Sequence, residues 1–138
     1  MADVTVTAAR VAEIFPRHAE IFTMIAAETI TAGQVVYQTS AGKAGVADAN
    51  AAGKQQARGI ALTGGGAGQG VSVLKRGHCA GFTLSQAYDA QLFLGDTAGA
   101  VADAAGTMSV AIGRVVPMSD SDLTKVFYVD ADWRVQHS

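Results

Sequence analysis

The residues able to do chemistry are few and far apart in this chain. His18, His78 and His137 are its histidines, and Cys79 is its single cysteine. Metal capture needs ligands on one face, as supplied by i, i+4 spacing on a helix or by a Cys-x-x-Cys pair. No histidine here has such a partner, so no metal site is expected. His78 and Cys79 are adjacent. On a strand their side chains would point to opposite faces, which denies them the contact that a nucleophile and its base require. Residues 64–70 read GGGAGQG and invite comparison with a phosphate-binding loop. Such a loop ends in Gly-Lys-Ser/Thr and opens a helix, whereas this one runs into Val71-Ser72-Val73, a strand pattern. It reads as a long, mobile hairpin connection. Asp48, Asp96, Asp103, Asp120, Asp122, Asp130 and Asp132 recur at turns. None sits in a twelve-residue calcium loop, and nothing pairs two of them at the spacing of a glycosidase. The expectation is a chain that is not an enzyme and takes no cofactor.

The elements that would have to position any site come from a distinctive composition. The chain has 138 residues, 49% of them hydrophobic, 16% charged, with a net charge of −2. This length suits one domain, or one small domain with an arm. It is too apolar for intrinsic disorder. No basic stripe exists to bind nucleic acid; Lys75-Arg76 is the one adjacent basic pair. No apolar run approaches the length of a spanning helix, and no signal peptide is evident at Met1-Ala2-Asp3, so no membrane partner is expected. A lone cysteine excludes an internal disulfide. The 27 alanines and 16 glycines mean that much of the apolar content is small. Small side chains bury little area each, and oligomerisation is one way to bury more.

Along the chain the dominant pattern is short strands and glycine turns. Residues 3–7 alternate as a short extended segment, and 8–15 have room for one or two helical turns before Pro16. Residues 21–25 read as a strand, with a helix extending into 26–28 as the alternative. Strands are expected at 35–39, 45–47, 58–63 and 71–75, the last ended by Gly77. Further strands are expected at 79–84, 91–94, 100–102, 109–116 and 125–129. Residues 48–56 form a loop or a single helical turn. The fold class is therefore all-β, a small barrel or sandwich of about nine or ten short strands with an extended N-terminal arm and little helix. The division is an arm at 1–20, a β-domain at 21–130 and a tail at 131–138.

Two stretches echo each other. Residues 36–42, 46–49 and 59–62 match residues 93–99, 101–104 and 113–116 in their hairpin, their Val-Ala-Asp-Ala connection and their glycine-started strand. Two copies are too few for a solenoid, so they would be two similar halves of one barrel.

Large apolar side chains also collect at the two ends. Val4, Val6, Val11, Ile14 and Phe15 need something to pack on, whether their own domain, a neighbouring subunit or a partner. Tyr128, Val129, Trp133 and Val135 lie close together, and tyrosine and tryptophan are frequent binding hot spots. The candidate interface residues are Val4, Val6, Val11, Ile14, Phe15, Tyr128 and Trp133.

Several of these turn-and-strand motifs also occur together in a known family. Residues 31–37 (TAGQVVY), 57–62 (ARGIAL), 68–77 (GQGVSVLKRG), 92–99 (LFLGDTAG) and 112–116 (IGRVV) resemble, in order and spacing, the small phage head decoration or capsid cement proteins. The resemblance implies a virion protein on the outer surface of the phage head, made in the host cytoplasm. Its partners would be the major capsid protein and itself, as a homotrimer, and its role would be to hold the shell against packaged DNA. It carries no catalytic residue. The alternatives are a head-fibre or tail-associated module binding a host surface, and an enzyme on a small β-barrel.

Overall fold

A computed structural model describes residues 3–134, so Val135 and His137 lie outside the described residues. The fold is all-β. Its strands are β1 (Thr5–Val6), β2 (Ala12–Glu13), β3 (Glu20–Ile25), β4 (Val35–Gln38), β5 (Ala44–Val46) and β6 (Ala57–Ala61). Then follow β7 (Gly70–Ala80), β8 (Phe82–Thr83), β9 (Gln91–Leu94), β10 (Val101–Ala102), β11 (Ala111–Pro117) and β12 (Lys125–Asp130). Ten of them make one curled sheet, a half-barrel, and β1 with β8 makes a small second sheet. Among the described residues helix is confined to two 3-10 turns, Ala8–Arg10 and Pro16–His18. Residues 48–56 form turns, and 21–25 take the strand alternative.

The large sheet has the order β10-β9-β11-β12-β7-β6-β4-β5. The sequence echo is visible in it. In each half a hairpin (β4–β5, β9–β10) is followed by a strand that folds back on the hairpin's first member (β6 on β4, β11 on β9). That strand then pairs with β7 or β12. The echoing glycines occupy matching places. A Cβ on Gly59 would collide with the Leu74 carbonyl on β7, and one on Gly113 with the Tyr128 carbonyl on β12. Only glycine lets the third strand approach so closely. The halves are stitched together where Gly99 N–H donates to Ala47 O at 2.6 Å and Ala49 N–H donates to Gly95 O at 3.1 Å.

One expectation is corrected. Gly77 does not end a strand: β7 runs unbroken through it for 11 residues, absorbing the expected strand start at 79. Gly77 has φ +144, a value side chains disfavour, and an added Cβ would lie 3.1 Å from Ala19 Cα. Glycine here lets the strand run on past Ala19 instead of stopping it. Leu74 is flanked by Ile21 and Ile60, and Arg76 by Glu20 and Asp130. Hence β2 and β3 line one edge of β7, while β6 and β12 divide the other.

The main core contains Ile60, Leu74, Leu92, Leu94, Ile112, Phe127 and Val129. A smaller cluster of Met24, Ala26, Ile30, Val36, Val71 and Val73 fills the opposite face of the β3–β7–β6 region. Alanines at turns and in tight interstrand positions, such as Ala26, Ala44 and Ala61, are fully buried. Small residues thus allow close packing and do not leave the interior thin.

Candidate interaction surface

The N-terminal segment lies on its own domain. Val4 N–H donates to Val101 O at 2.7 Å, Thr7 N–H to Gly81 O at 2.8 Å, and Ile14 N–H to His78 O at 3.0 Å. Val4 and Val11 are 7% and 8% exposed and belong to the main core, so they present no surface to a partner. Val6 pairs opposite Phe82 and stays 40% exposed. Ile14 and Phe15 are half-buried.

Phe15 and Tyr128, distant in sequence, meet at His78. Phe15 sets its ring edge-on to the imidazole at 5.0 Å, and Tyr128, directly opposite His78 across β12 and β7, does the same at 5.2 Å. Burial and the nearby His18 push the His78 pKa down, and its Nδ1 is buried with no hydrogen-bond partner. The neighbouring Cys79 faces the core, as alternation along a strand requires. Burial pushes its thiol up to about 12, so at neutral pH it is not a nucleophile.

Trp133 goes elsewhere. Its Nε1–H donates to Arg58 O at 2.9 Å, and its ring stands edge-on to Phe22 at 5.0 Å. Lys75 Nζ lies 5.0 Å from the ring centroid and Arg58 Cζ 5.7 Å, both within cation–π range. Glu20 bridges Lys75 and Arg76 at 3.5 Å each, and Arg76 continues to Asp130 at 3.0 Å. These pairs are exposed and contribute little stability each. The cluster borders an open basin beside Ala19 and Ile21.

The residues that sequence reasoning missed are Ile21 and Ile25. They are 42% and 44% exposed and share one face of β3 with Thr23, opposite the face on which Phe22 meets Trp133. The run 21–25 is apolar on both faces of the strand, so it carries no alternation to show which face is open. Tyr88 and Leu123 are a second missed pair; the Tyr88 hydroxyl donates to the Leu123 carbonyl, and both side chains are exposed.

The glycine-rich connection between β6 and β7 is held down. Gly65 and Ile30 exchange backbone hydrogen bonds at 2.8 and 2.9 Å, and Gly68 N–H donates to Ala26 O at 2.8 Å. Two of its amides are thus turned inward onto residues 26–30, and a third, on Gly66, donates to Gln69 Oε1 at 2.7 Å. Asp96 accepts from the Thr107 amide at 2.7 Å and its hydroxyl at 3.0 Å, closing a loop. Among the described residues no group of three or more His, Cys, Asp or Glu side chains could hold a metal ion.

No family model matches this chain, and neither does any curated protein or solved structure.

Proposed function

We propose that this chain is a structural protein that works by docking on other protein subunits, as a capsid decoration protein on the outer face of a phage head. The observation that carries the docking reading is the exposure of Ile21 and Ile25 on one face of β3, with the half-exposed Trp133 seated on Phe22 on the other. Exposed large apolar side chains and tryptophan are features of protein-binding surfaces. The resemblance over residues 31–116 supplies the capsid as the partner. In this role each bound oligomer makes several contacts at once, so that each further contact is effectively intramolecular and weak contacts add up to a firm hold. The resemblance points to three copies per oligomer, which the solution mass tests.

The test is co-sedimentation of the purified full chain with undecorated capsids of the phage that encodes it. Binding at micromolar concentration, lost on Trp133→Ala in a variant with unchanged circular dichroism, supports the reading. A chain that stays in the supernatant overturns it.

A further inference from the structure

The N-terminal segment leaves the edge of β7 for a short stretch and then rejoins it. Glu13 stands opposite Cys79 and Glu20 opposite Arg76, so the outer chain takes seven steps where β7 takes three. The extra chain is taken up by residues 14–18, a strap that contains the 3-10 turn Pro16–His18 and is exposed along that turn. Ile14 N–H donates to His78 O at 3.0 Å, the strap's one backbone bond to β7 among the described residues. The amides of His18 and Ala19 turn back onto the strap itself, to Phe15 O at 2.9 Å and Pro16 O at 3.3 Å. Past Ile14, what ties the strap to β7 is the Phe15 ring, set edge-on to the His78 imidazole.

The second ring on that imidazole is fixed. Tyr128 sits in β12, laddered to Arg114 of β11 on one side and to His78 itself on the other. Nδ1 of His78 is buried and has no hydrogen-bond partner. In neutral imidazole one nitrogen carries no proton, and Nδ1 can be that one. In imidazolium both nitrogens are donors, and a buried charged donor without an acceptor is strongly disfavoured. The surrounding charges supply no acceptor to Nδ1. Arg76 and Asp130 pair with each other at 3.0 Å, Glu20 turns to Lys75 and Arg76, and Glu13 stands opposite Cys79. The strap itself brings Arg17 and His18, both basic. Burial and His18 accordingly hold the pKa of His78 down. Water reaches a proton on Nδ1 only if something moves, and the strap is the part with least to hold it.

We propose that residues 14–18 are a proton-released strap: uptake of a proton by His78 lifts Phe15 and the strap off β7 while the sheet beneath stays folded. Release bares the edge of β7 at Gly77 and His78, and with it the half-buried side chains of Ile14 and Phe15. The chain then carries an apolar surface in acid that it does not carry at neutral pH. The sign follows from linkage. Above pH 6.5 His78 is neutral whether the strap is down or up, and the closed form has its full advantage. As pH falls below 6.5 the open form takes up the proton first, so opening grows until the pKa of the closed form is passed. This inference does not rest on the capsid reading.

The experiment is amide hydrogen exchange of the full chain, followed by NMR at about pH 7.5 and pH 5, with each rate divided by that of the unfolded chain at the same pH. The amide to watch is that of Ile14, compared with the amides of the β7–β12 ladder. The expected result is that Ile14 exchanges through a local opening, well below the free energy of global unfolding and little changed by about 1 M urea. Its protection should fall several-fold at the lower pH, and that fall should vanish in His78→Gln. An Ile14 amide as protected as the ladder and as sensitive to urea overturns the proposal. So does protection that is the same at both pH values, or a fall that persists in His78→Gln. Should His78→Gln fail to fold, NMR titration of the His78 ring decides. Phe15→Ala should bring its pKa up toward the ordinary 6.5, and an unmoved pKa overturns the proposal.

Discussion

Tyr128 stands directly opposite His78 across two antiparallel strands, their rings 5.2 Å apart, and Phe15 approaches the same imidazole from the N-terminal segment. Three parts of the chain therefore converge on one titratable side chain. The environment favours neutral imidazole, because desolvation opposes its charge and His18 lies nearby.

A lowered pKa in the folded state makes stability depend on pH in a definite sense. Above the ordinary value of 6.5 both folded and unfolded His78 are neutral, and the stability is fully present. As pH falls below 6.5 the unfolded chain takes up the proton first, and stability is lost until the folded pKa is passed. Urea midpoints should fall between pH 7.5 and pH 5 in the unaltered protein and fall less in His78→Gln. Parallel pH dependences in the two proteins would refute a role for His78.

The N-terminal valines should separate by burial. Val4→Ala and Val11→Ala each remove methyl groups from the main core and should cost about 1–3 kcal/mol. Val6→Ala, at an exposed site, should stay within about 0.5 kcal/mol. Thermal or urea melts of the three variants measure the contrast; equal effects would mean that the segment does not lie on the domain in solution.

Gly59 and Gly113 should be the least replaceable glycines of the sheet. Alanine at either meets the carbonyl of the adjacent strand, which cannot swing aside as a side chain can. A loss of about 1–3 kcal/mol or more is expected for each. Gly70→Ala, whose Cβ would meet only Thr23 Cγ2 at 3.6 Å, is the control and should be mild. Denaturation midpoints of the three variants provide the comparison.

Cys79 should resist thiol reagents in the native protein. Its side chain is fully buried and its pKa is pushed up to about 12. Labelling with a disulfide reagent at pH 8 should be slow and should accelerate many-fold in unfolding concentrations of urea. Rapid native labelling would show that β7 opens at this position.

Much of this architecture was legible in the residues. Alternation and glycine turns marked β4, β6, β9, β11 and β12, and the echo between residues 36–62 and 93–116 marked two similar halves but not the order in which their strands pair. The passage of β7 through Gly77 was not legible. A glycine in a strand pattern signals a stop or a bend, and only the neighbours, here Ala19, decide which. The site was less legible than the fold. Val4 and Val11 looked like Val6 in sequence, yet two are core and one is surface, because burial depends on which distant strand each one reaches. Trp133 stood out by type, but its seat on Phe22 and Arg58 required the tertiary structure. Ile21 and Ile25 were hidden in a run that is apolar on both faces.

The position of β7 has a consequence for how the molecule comes into being. It is flanked by strands from residues 12–25 on one edge and by β6 and β12 on the other. During synthesis β7 leaves the ribosome well before β12 exists, so its stretch from Arg76 to Cys79 must wait with half its hydrogen bonds unmade. Closing that gap joins residues about fifty positions apart, a non-local step of the kind that slows β-rich folding. The last large strand made is thus the one that completes the sheet, and a nascent chain truncated before Lys125 would expose the very strand on which the rest of the domain is assembled.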